Sequence, residues 1–328
     1  MERFIFVAAV TIALVTGAFY FLGGPSWSVH IDDMEVGGRQ DPVVEVAAGR
    51  MDPQSFTAGS ISVRYAAANV VVTPEERTDI AIEIDNPGRL PMPEVRLDGG
   101  ELVVDGRLRR RIGACEGGSV NVRGYGDITA SDMPQVRIRA PRRLVLDIGG
   151  ASNAEVAASD NLDLELTGCG TAQVADVAEE LSVELAGSGR VAAGAAQRLN
   201  ADLAGSGAIE TGAIADEAEV DVAGSGSVTL AALNGSLSMD GAGSGNLAVQ
   251  GGAVTTAGID LAGSGDVTIA APVQTLTVSI VGSGDVDVEG AVGDINAEIA
   301  GSGGVRAASV SGAVRKEVWG SGDVQVGQ

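Results

Sequence analysis

Hydrophobic and polar residues alternate in short stretches along most of this chain, and the stretches recur about every 19 residues. Each stretch surrounds a Gly-Ser-Gly tripeptide, which begins at Gly187, Gly205, Gly224, Gly243, Gly263, Gly282, Gly301 and Gly320. If the first glycine is position 0, apolar residues occupy positions −6, −4 and −2 and again +4, as in Leu181, Val183, Leu185 and Val191. This period of two predicts one strand before and one strand after each tripeptide.

The constant spacing of the tripeptides indicates how these strands are connected. Successive first glycines are 18–20 residues apart, and degenerate copies at Gly168-Cys169-Gly170 and Gly150-Ala151-Ser152 continue the series upstream. Hairpins do not require one constant period, whereas every coil of a parallel β-solenoid is one such repeat. We therefore predict an all-β fold, a single-stranded and right-handed parallel β-helix with about 19 residues per coil. The glycines are expected at corners, where a positive φ favours glycine.

A further apolar position follows many of the predicted second strands, as at Val177, Ile214, Leu233 and Val292. It fits either a third short strand or a bend. Aromatic residues make up only 3% of the chain, while alanine, valine, leucine and glycine dominate. We expect this composition in a thin core that admits only small and medium side chains.

The N-terminal part differs from the repeats. Phe4 to Leu22 are 19 residues without a charge, and they predict a hydrophobic helix that is either a secretory signal or, as its length favours, a membrane anchor. Residues 1–25 are assigned to this segment. A buried helix of a soluble protein fits poorly directly before a polar stretch. Residues 26–55 are interpreted as a linker, and either leading interpretation of the N-terminal segment exports the rest of the chain.

The folded part is predicted to have two regions. Residues 56–143 form irregular coils, among them Ile61–Val72, which resembles a coil without its glycines. Ser119–Ile128 is interpreted as an early repeat with Gly124-Tyr125-Gly126 at its corner, followed by an inserted loop. Residues 144–328 form the regular Gly-Ser-Gly solenoid.

The charge of the chain bears on its partners. There are 44 Asp and Glu and 21 Lys and Arg, a formal net charge of −23, which argues against nucleic acid. Many acids alternate with the apolar core positions of a strand, so their side chains are predicted to point outward, as at Asp163, Glu165 and Asp221. These acids fit a solvent-exposed face of the sheet, and a surface that binds cations is the alternative, more specific interpretation. The basic cluster Arg109–Arg111 fits a solvated loop, or a contact with an anionic partner or with the acidic coils.

Candidate chemistry is sparse. Cys115 and Cys169 are the two cysteines, and they form either one disulfide or two unpaired thiols. With His30 they lack the spacing of a metal site. No set of catalytic residues can be assembled, so we expect neither an enzyme nor a cofactor. A corner aspartate occurs only in some coils, at Asp266, Asp285 and Asp323, which does not support a calcium-binding roll but leaves weak binding at one or two corners open.

The last repeat departs from the others. Lys316, the chain's one lysine, takes an inward position, and Trp319 replaces the alanine before the corner. Terminal repeats of solenoids are often atypical because they end an otherwise continuous core. The two residues fit a device that blocks end-to-end stacking, or alternatively an oligomer contact.

Coils of the form Leu-x-Val-x-Leu-Ala-Gly-Ser-Gly-x-Val-x-Val, after an export segment and an Ile-x-Val-x-x-Ala opening at Ile61, resemble the bacterial head GIN domain family. The resemblance covers roughly residues 56–328, and its most specific match is the Gly-Ser-Gly-Asp-Val corners at 263–267, 282–286 and 320–324. The family is described as "putative auto-transporter adhesins". The resemblance implies a β-helical fold, an envelope or surface location and an adhesin role.

We therefore expect an exported, non-enzymatic protein of the periplasm, outer envelope or cell surface that acts as an adhesin-like interaction rod. Its partner would be an unidentified protein or glycan surface, and its one membrane contact would be through residues 4–22. The alternative is a structural protein that associates with itself. A carbohydrate-binding rod is a third interpretation, which the scarcity of aromatic residues disfavours.

Overall fold

A computed structural model describes residues 46–327 of the chain. The predicted segment Phe4–Leu22 and most of the predicted linker lie outside the described residues. Within residues 46–327 no helix is long and apolar enough to cross a bilayer, and the only helical element is a 3-10 turn, Ala130–Asp132. The strands of this region are β1 Gly49–Phe56, β2 Ser60–Ala66, β3 Asn69–Glu75, β4 Ile80–Asn86, β5 Glu94–Asp98, β6 Glu101–Asp105, β7 Ile112–Glu116, β8 Ser119–Val122, β9 Gly126–Thr129, β10 Gln135–Pro141, β11 Arg143–Gly150, β12 Asn153–Val156, β13 Ser159–Gly168, β14 Thr171–Val174, β15 Val177–Gly187, β16 Arg190–Ala193, β17 Ala196–Gly205, β18 Ala208–Gly224, β19 Ser227–Gly243, β20 Asn246–Val249, β21 Gly252–Gly263, β22 Val267–Ile269, β23 Val273–Gly282, β24 Asp285–Gly301, β25 Gly304–Val310, β26 Val314–Gly320 and β27 Asp323–Val326.

From β11 onward the chain forms about ten stacked coils with about 19 residues in each. Every coil supplies a long strand that ends at the first glycine of its tripeptide and a short strand that follows the tripeptide. Neighbouring coils pair in parallel and in register, as where β13 and β15 place Leu162 beside Leu181 and Gly168 beside Gly187. The predicted all-β solenoid is therefore confirmed. We call the sheet of long strands the long face and the sheet of short strands the short face.

The further apolar position belongs to the strand that leads into the long face rather than to a separate third strand, and it pairs in parallel with its equivalent in the next coil, as Ile214 does with Leu233. Val177 is the first residue of β15, and Ile214, Leu233 and Val292 lie inside β18, β19 and β24, which run continuously from the short face to the long face. All four side chains are buried. These buried residues therefore close the core between the short face and the long face.

The core lies between the two faces and is built as columns of equivalent residues. In one coil Leu181, Val183 and Leu185 point inward from the long face, and Val191 points inward from the short face; each is at most 1% exposed. Burying one such side chain contributes about 1.5–3 kcal/mol. Since every coil repeats the arrangement, each core side chain packs on its counterparts above and below.

The corner glycines are required by the stacking of the backbone. The first glycine of each tripeptide has a positive φ, for example 124° at Gly205. A Cβ at this position would collide with the carbonyl oxygen of the equivalent glycine in the preceding coil. That oxygen accepts a hydrogen bond from the following coil's serine N–H, as from Ser206 to Gly187 at 2.9 Å.

The N-terminal coils are stacked out of chain order. In the long face β2 lies between β6 and β11, so that Ile61 is beside Leu102 on one side and Leu146 on the other. In the short face β3 lies between β10 and β12. At this end antiparallel strands complete the two faces: β4 pairs with β1 and β10, and β5 pairs with β6. The paired strands begin at Gly49, before the boundary at residue 56 that the sequence suggested.

One prediction for this region is wrong. Gly124-Tyr125-Gly126 is not a solenoid corner but lies at the turn between β8 and β9 of a separate antiparallel sheet, β7–β9. The alternation of Ser119–Ile128 is the same in a hairpin as in a coil, so the pattern could not distinguish them. The insertion is this three-stranded sheet, whereas the segment around Met133–Pro141, interpreted as an inserted loop with Val136–Pro141 extended, contains β10, a strand of the solenoid.

Candidate functional site

A column of carboxylates runs along the outer surface of the long face. It occupies position −3 of the repeat, directly between the inward residues at −4 and −2. Parallel register places these residues one above the other in seven successive coils: Asp147, Glu165, Glu184, Asp202, Asp221, Asp240 and Asp260. We call these seven residues the carboxylate ladder. Since neighbouring strands are about 4.8 Å apart, each of the five inner carboxylates has a like charge as its nearest equivalent on both sides, whereas Asp147 and Asp260 each have a serine on one side.

The ladder is flanked by small side chains on one side and by polar side chains on the other. At position −1 an alanine column, Ala186, Ala204, Ala223, Ala242 and Ala262, runs parallel to it. At position −5 the column contains Asp163, Ser182, Asn200 and Glu219. The ladder side chains are partly buried from Asp147 to Asp221 and exposed at Asp240 and Asp260.

Within residues 46–327, a basic side chain pairs with the ladder only at its first member. Asp147 accepts a hydrogen bond from Ser62 Oγ at 2.7 Å, and Arg64 Nε lies 4.0 Å from the same carboxylate. From Glu165 to Asp260, no lysine or arginine of the described region forms an ion pair with the ladder. The sequence between 144 and 327 contains five basic and 25 acidic residues, whereas 46–143 contain 14 and 13. The ladder therefore lies in the strongly acidic part of the chain.

Stacking changes the acidity of the ladder. Burial raises the pKa of Glu184 to about 7, and the charges of Glu165 and Asp202 add to the shift. Burial, followed by the charge of Asp202, raises the pKa of Asp221 to about 6. Although the Asp240 side chain is exposed overall, the protein around its carboxyl partly desolvates it, and this desolvation, followed by the charge of Asp221, raises the pKa of Asp240 to about 6. Near neutral pH these ladder carboxylates therefore take up protons more readily than isolated carboxylates do.

The corner aspartates have a different role. Asn246 Oδ1 accepts a hydrogen bond from the backbone N–H of Asp266 at 2.9 Å, and Asp266 Oδ1 accepts one from the N–H of Asp285 at 3.0 Å. Asp285 in turn pairs with Arg306 at 3.3 Å. These side chains satisfy backbone donors of the next coil, which explains why Asn and Asp are interchangeable here. No three acidic, cysteine or histidine side chains within residues 46–327 converge on a metal position.

The two cysteines are joined by a disulfide between β7 and the corner at Cys169. The β7–β9 sheet packs along the corners of the first coils, where Leu108, Val120, Ala67 and Ala151 form a second apolar cluster. Ala67, Ala151 and Cys169 occupy the corner position that is serine in later coils. The corner is therefore apolar where the small sheet covers it and serine where it is exposed.

Two arginines of the predicted basic cluster also hold this insertion. Arg111 is 5% exposed, and its Nη1 donates to the carbonyl of Arg123 at 3.0 Å. The Arg109 guanidinium lies 5.0 Å from the centre of the Tyr65 ring, a distance typical of a cation–π contact. The cluster thus contributes to the attachment of the small sheet.

Sequence reasoning recognised outward acids but missed their alignment. The signal was present, because position −3 is acidic in seven successive repeats once they are aligned on the first glycine. Within any single strand these acids show only the outward position of a solvated residue, so the column is visible only when the repeats are aligned.

Comparison with known proteins gives one family and several structures. The family model described as "Putative auto-transporter adhesin, head GIN domain" matches residues 61–253 and 237–328. A solved "putative adhesin from Parabacteroides merdae ATCC 43184" is 16% identical, covering 87% of this chain and 97% of that chain with a TM-score of 0.42. A "putative lipid binding protein from Parabacteroides distasonis ATCC 8503" is also 16% identical, with 84% and 97% covered and a TM-score of 0.41. Among curated proteins no relative matches.

Proposed function

Because the chain belongs to the family described as "Putative auto-transporter adhesin, head GIN domain", we propose that it is an exported, non-enzymatic interaction protein whose contact surface is the carboxylate ladder. The observation that carries the proposal is the register itself. Seven acids stand one above another, and six of them have no basic ion-pair partner among the described residues. The partner would be a protein or glycan surface that carries positive charge or bound cations.

Solubility alone does not account for the ladder. Like charges directly opposite on neighbouring strands are destabilising, and the same number of acids spread over both faces would keep the protein soluble at a lower cost. Features that reduce stability are expected at functional sites. The ladder is therefore better explained by a contact that neutralises it.

A regular column also suits multivalent binding. Each carboxylate alone would make a weak contact, but contacts repeated on one rigid scaffold add avidity without requiring a deep pocket. The neighbouring alanine column leaves the approach to the ladder open.

The disulfide supports export. Disulfides persist in oxidising compartments and are rare in the cytosol, and Cys115 and Cys169 join segments that are 54 residues apart in sequence. With the uncharged stretch Phe4–Leu22, this favours a protein on the far side of the cytoplasmic membrane, in the periplasm, the outer envelope or on the cell surface. From the strong right-handed preference of parallel crossovers, we also propose that the coils are right-handed.

A first experiment tests location. Protease is added to intact cells that express the tagged full chain and to cells with a permeabilised outer membrane. Digestion in intact cells would support a surface adhesin, and protection until permeabilisation would support an envelope role in the periplasm. A protected protein in the cytosolic fraction would overturn the proposal of export.

A second experiment tests the ladder. The full chain is compared with the variant Glu184→Gln/Asp202→Asn/Asp221→Asn/Asp240→Asn for binding to immobilised polylysine. The matched control removes four exposed acids elsewhere: Glu94→Gln, Glu116→Gln, Glu155→Gln and Glu289→Gln. We expect the ladder variant to bind at least about tenfold more weakly and the control to bind nearly as the parent does. Equal losses in both variants would show a general effect of charge and reject the ladder as the contact surface.

A further inference from the structure

The last coil that the structure describes carries a charged side chain in one of the core columns. One inward column of the long face occupies position −4 and is apolar and buried in nine successive coils: Leu146, Leu164, Val183, Ala201, Val220, Met239, Ile259, Val278 and Ala297. The next member of this column is Lys316 in β26, directly beside Ala297. A lysine at this position interrupts a column whose other members exclude polar groups.

Lys316 is held across the end of the core. Its Nζ lies 3.1 Å from Oδ1 of Asp323. Lys316 belongs to the long face and Asp323 begins β27 on the short face, so the ion pair joins the two faces over the inward columns. Asp323 Oδ1 also accepts the N–H of Val324 at 2.8 Å. The Lys316 hydrogen bond, with this backbone bond, holds the pKa of Asp323 below its usual range.

The strands that carry this ion pair have open edges among the described residues. β26 pairs only with β24, and β27 pairs only with β25. Val314 and Val326 are 42% and 38% exposed, and Trp319 is 37% exposed. An exposed edge with apolar residues is a template for pairing with another chain, and an inward-pointing charge is one of the features that prevent such pairing.

The two ends of the described solenoid differ in this respect. At the other end, β1, β4 and β5 run antiparallel to their neighbours and so interrupt the parallel stacking. At the β26–β27 end the parallel register continues through the last described coil. This coil differs from the earlier ones in its side chains and not in its backbone pairing. A further coil could therefore be added here without any change of backbone geometry.

We propose that Lys316, held by Asp323, is a built-in block that keeps this edge from pairing with a second copy of the chain. A second copy that stacked on β26 would bury the Lys316 ammonium between two apolar layers. The cost of burying that charge opposes the gain from pairing β26 and covering Val314 and Trp319. Removing the charge should therefore convert a protected edge into an association site.

The test replaces Lys316 by valine in the full chain, purified in a mild nonionic detergent, with the protein mass measured by light scattering as concentration rises. The matched control is Arg315→Val, which removes the same charge from the same strand but on the outward side. We expect the parent and Arg315→Val to keep one mass and Lys316→Val to associate at least about tenfold more tightly. Circular dichroism checks that both variants keep the β fold of the parent.

The site of contact is tested by cross-linking. In the Lys316→Val background, Glu317→Cys should form intermolecular disulfides under oxidising conditions, and Ser244→Cys in the middle of the solenoid should not. A Lys316→Val protein that stays at the parent's mass would overturn the proposal, as would equal association of Arg315→Val. Cross-linking through Ser244→Cys instead would show lateral contact and would also reject the block.

Discussion

The carbonyl oxygen of Gly187 accepts a hydrogen bond from the N–H of Ser206 in the next coil, with 2.9 Å between the two atoms. The same relationship recurs at each later Gly-Ser-Gly corner, for example between Gly224 and Ser244 at 2.7 Å. This bond draws the next coil's backbone so close that its own first glycine has no room for a side chain. The repeated tripeptide is thus a consequence of how closely the coils stack.

Gly205→Ala should therefore destabilise the solenoid by about 2–4 kcal/mol. The φ of 124° at Gly205 is unfavourable for alanine, and the added Cβ would collide with the Gly187 carbonyl. Denaturant unfolding, followed by circular dichroism, measures the change.

Gly258→Ala is the matched control, since Gly258 lies on the long face without a positive φ and its nearest neighbour to an added Cβ is 4.0 Å away. This substitution should be neutral or stabilising by up to about 1 kcal/mol. Equal losses for the two variants would contradict the steric explanation.

The carboxylate ladder should make the protein more stable in mild acid. The pKa of Glu184 rises from 4.5 to about 7 in the folded protein, so protonation favours the folded state. The free energy of unfolding should therefore increase as pH falls from about 7 to about 4.5, and Asp221 and Asp240 should act in the same direction below about pH 6. After allowance for solvent screening, protonation of Glu184 alone should raise the free energy of unfolding by about 1–2 kcal/mol over this pH range.

Unfolding measured at a series of pH values tests this dependence. Glu184→Gln should reduce the rise in stability between pH 7 and pH 4.5, whereas Glu155→Gln, an exposed acid on the short face, should leave it unchanged. A stability that falls steadily over this range would contradict a raised pKa in the ladder. Below pH 4 the trend should weaken, because Asp79 and Asp323 have lowered pKa values and their stabilising contacts are lost there.

The Cys115–Cys169 disulfide should matter locally rather than along the whole solenoid. Replacing both cysteines by serine removes the constraint between segments 54 residues apart, and we expect the attachment of the β7–β9 sheet to weaken by about 2–4 kcal/mol. Hydrogen exchange should become faster in residues 106–134 and stay unchanged from Gly187 onward. Faster exchange throughout the repeats would contradict a local role.

Asp266 should be replaceable by asparagine but not by alanine. Its Oδ1 accepts the backbone N–H of Asp285 at 3.0 Å, and Asn246 does the same for Asp266. Asp266→Ala leaves that donor without its partner and should cost about 1 kcal/mol, while Asp266→Asn should be close to neutral. If both substitutions cost the same in thermal unfolding, the charge of Asp266 would be important rather than its hydrogen bond.

The regular part of the fold was predictable because the residues within each coil are enough to indicate its strands and its corner. Alternation around Leu181–Leu185 identified the strand, Gly187 identified the corner, and the constant period identified the stacking. The irregular part was not predictable in the same way. The Gly124-Tyr125-Gly126 turn has the same local pattern as a corner, and β2 pairs with β6 and β11 through contacts that no short stretch of sequence specifies.

The repeating unit, its core columns and its glycine corners follow from the local sequence pattern, because a period of two within a period of about 19 admits one regular stacking. The roles of the outward residues, in contrast, depend on which of them the folded coils bring together. Burial on the long face raises the pKa of Glu184, and register adds to this shift by placing Glu184 between Glu165 and Asp202 in one ladder. Register also places Lys316 within reach of Asp323 across the end of the core. The packing of a strand constrains its outward side chains only weakly. Their contacts, and therefore their roles, depend on which residues the stacked coils place beside them.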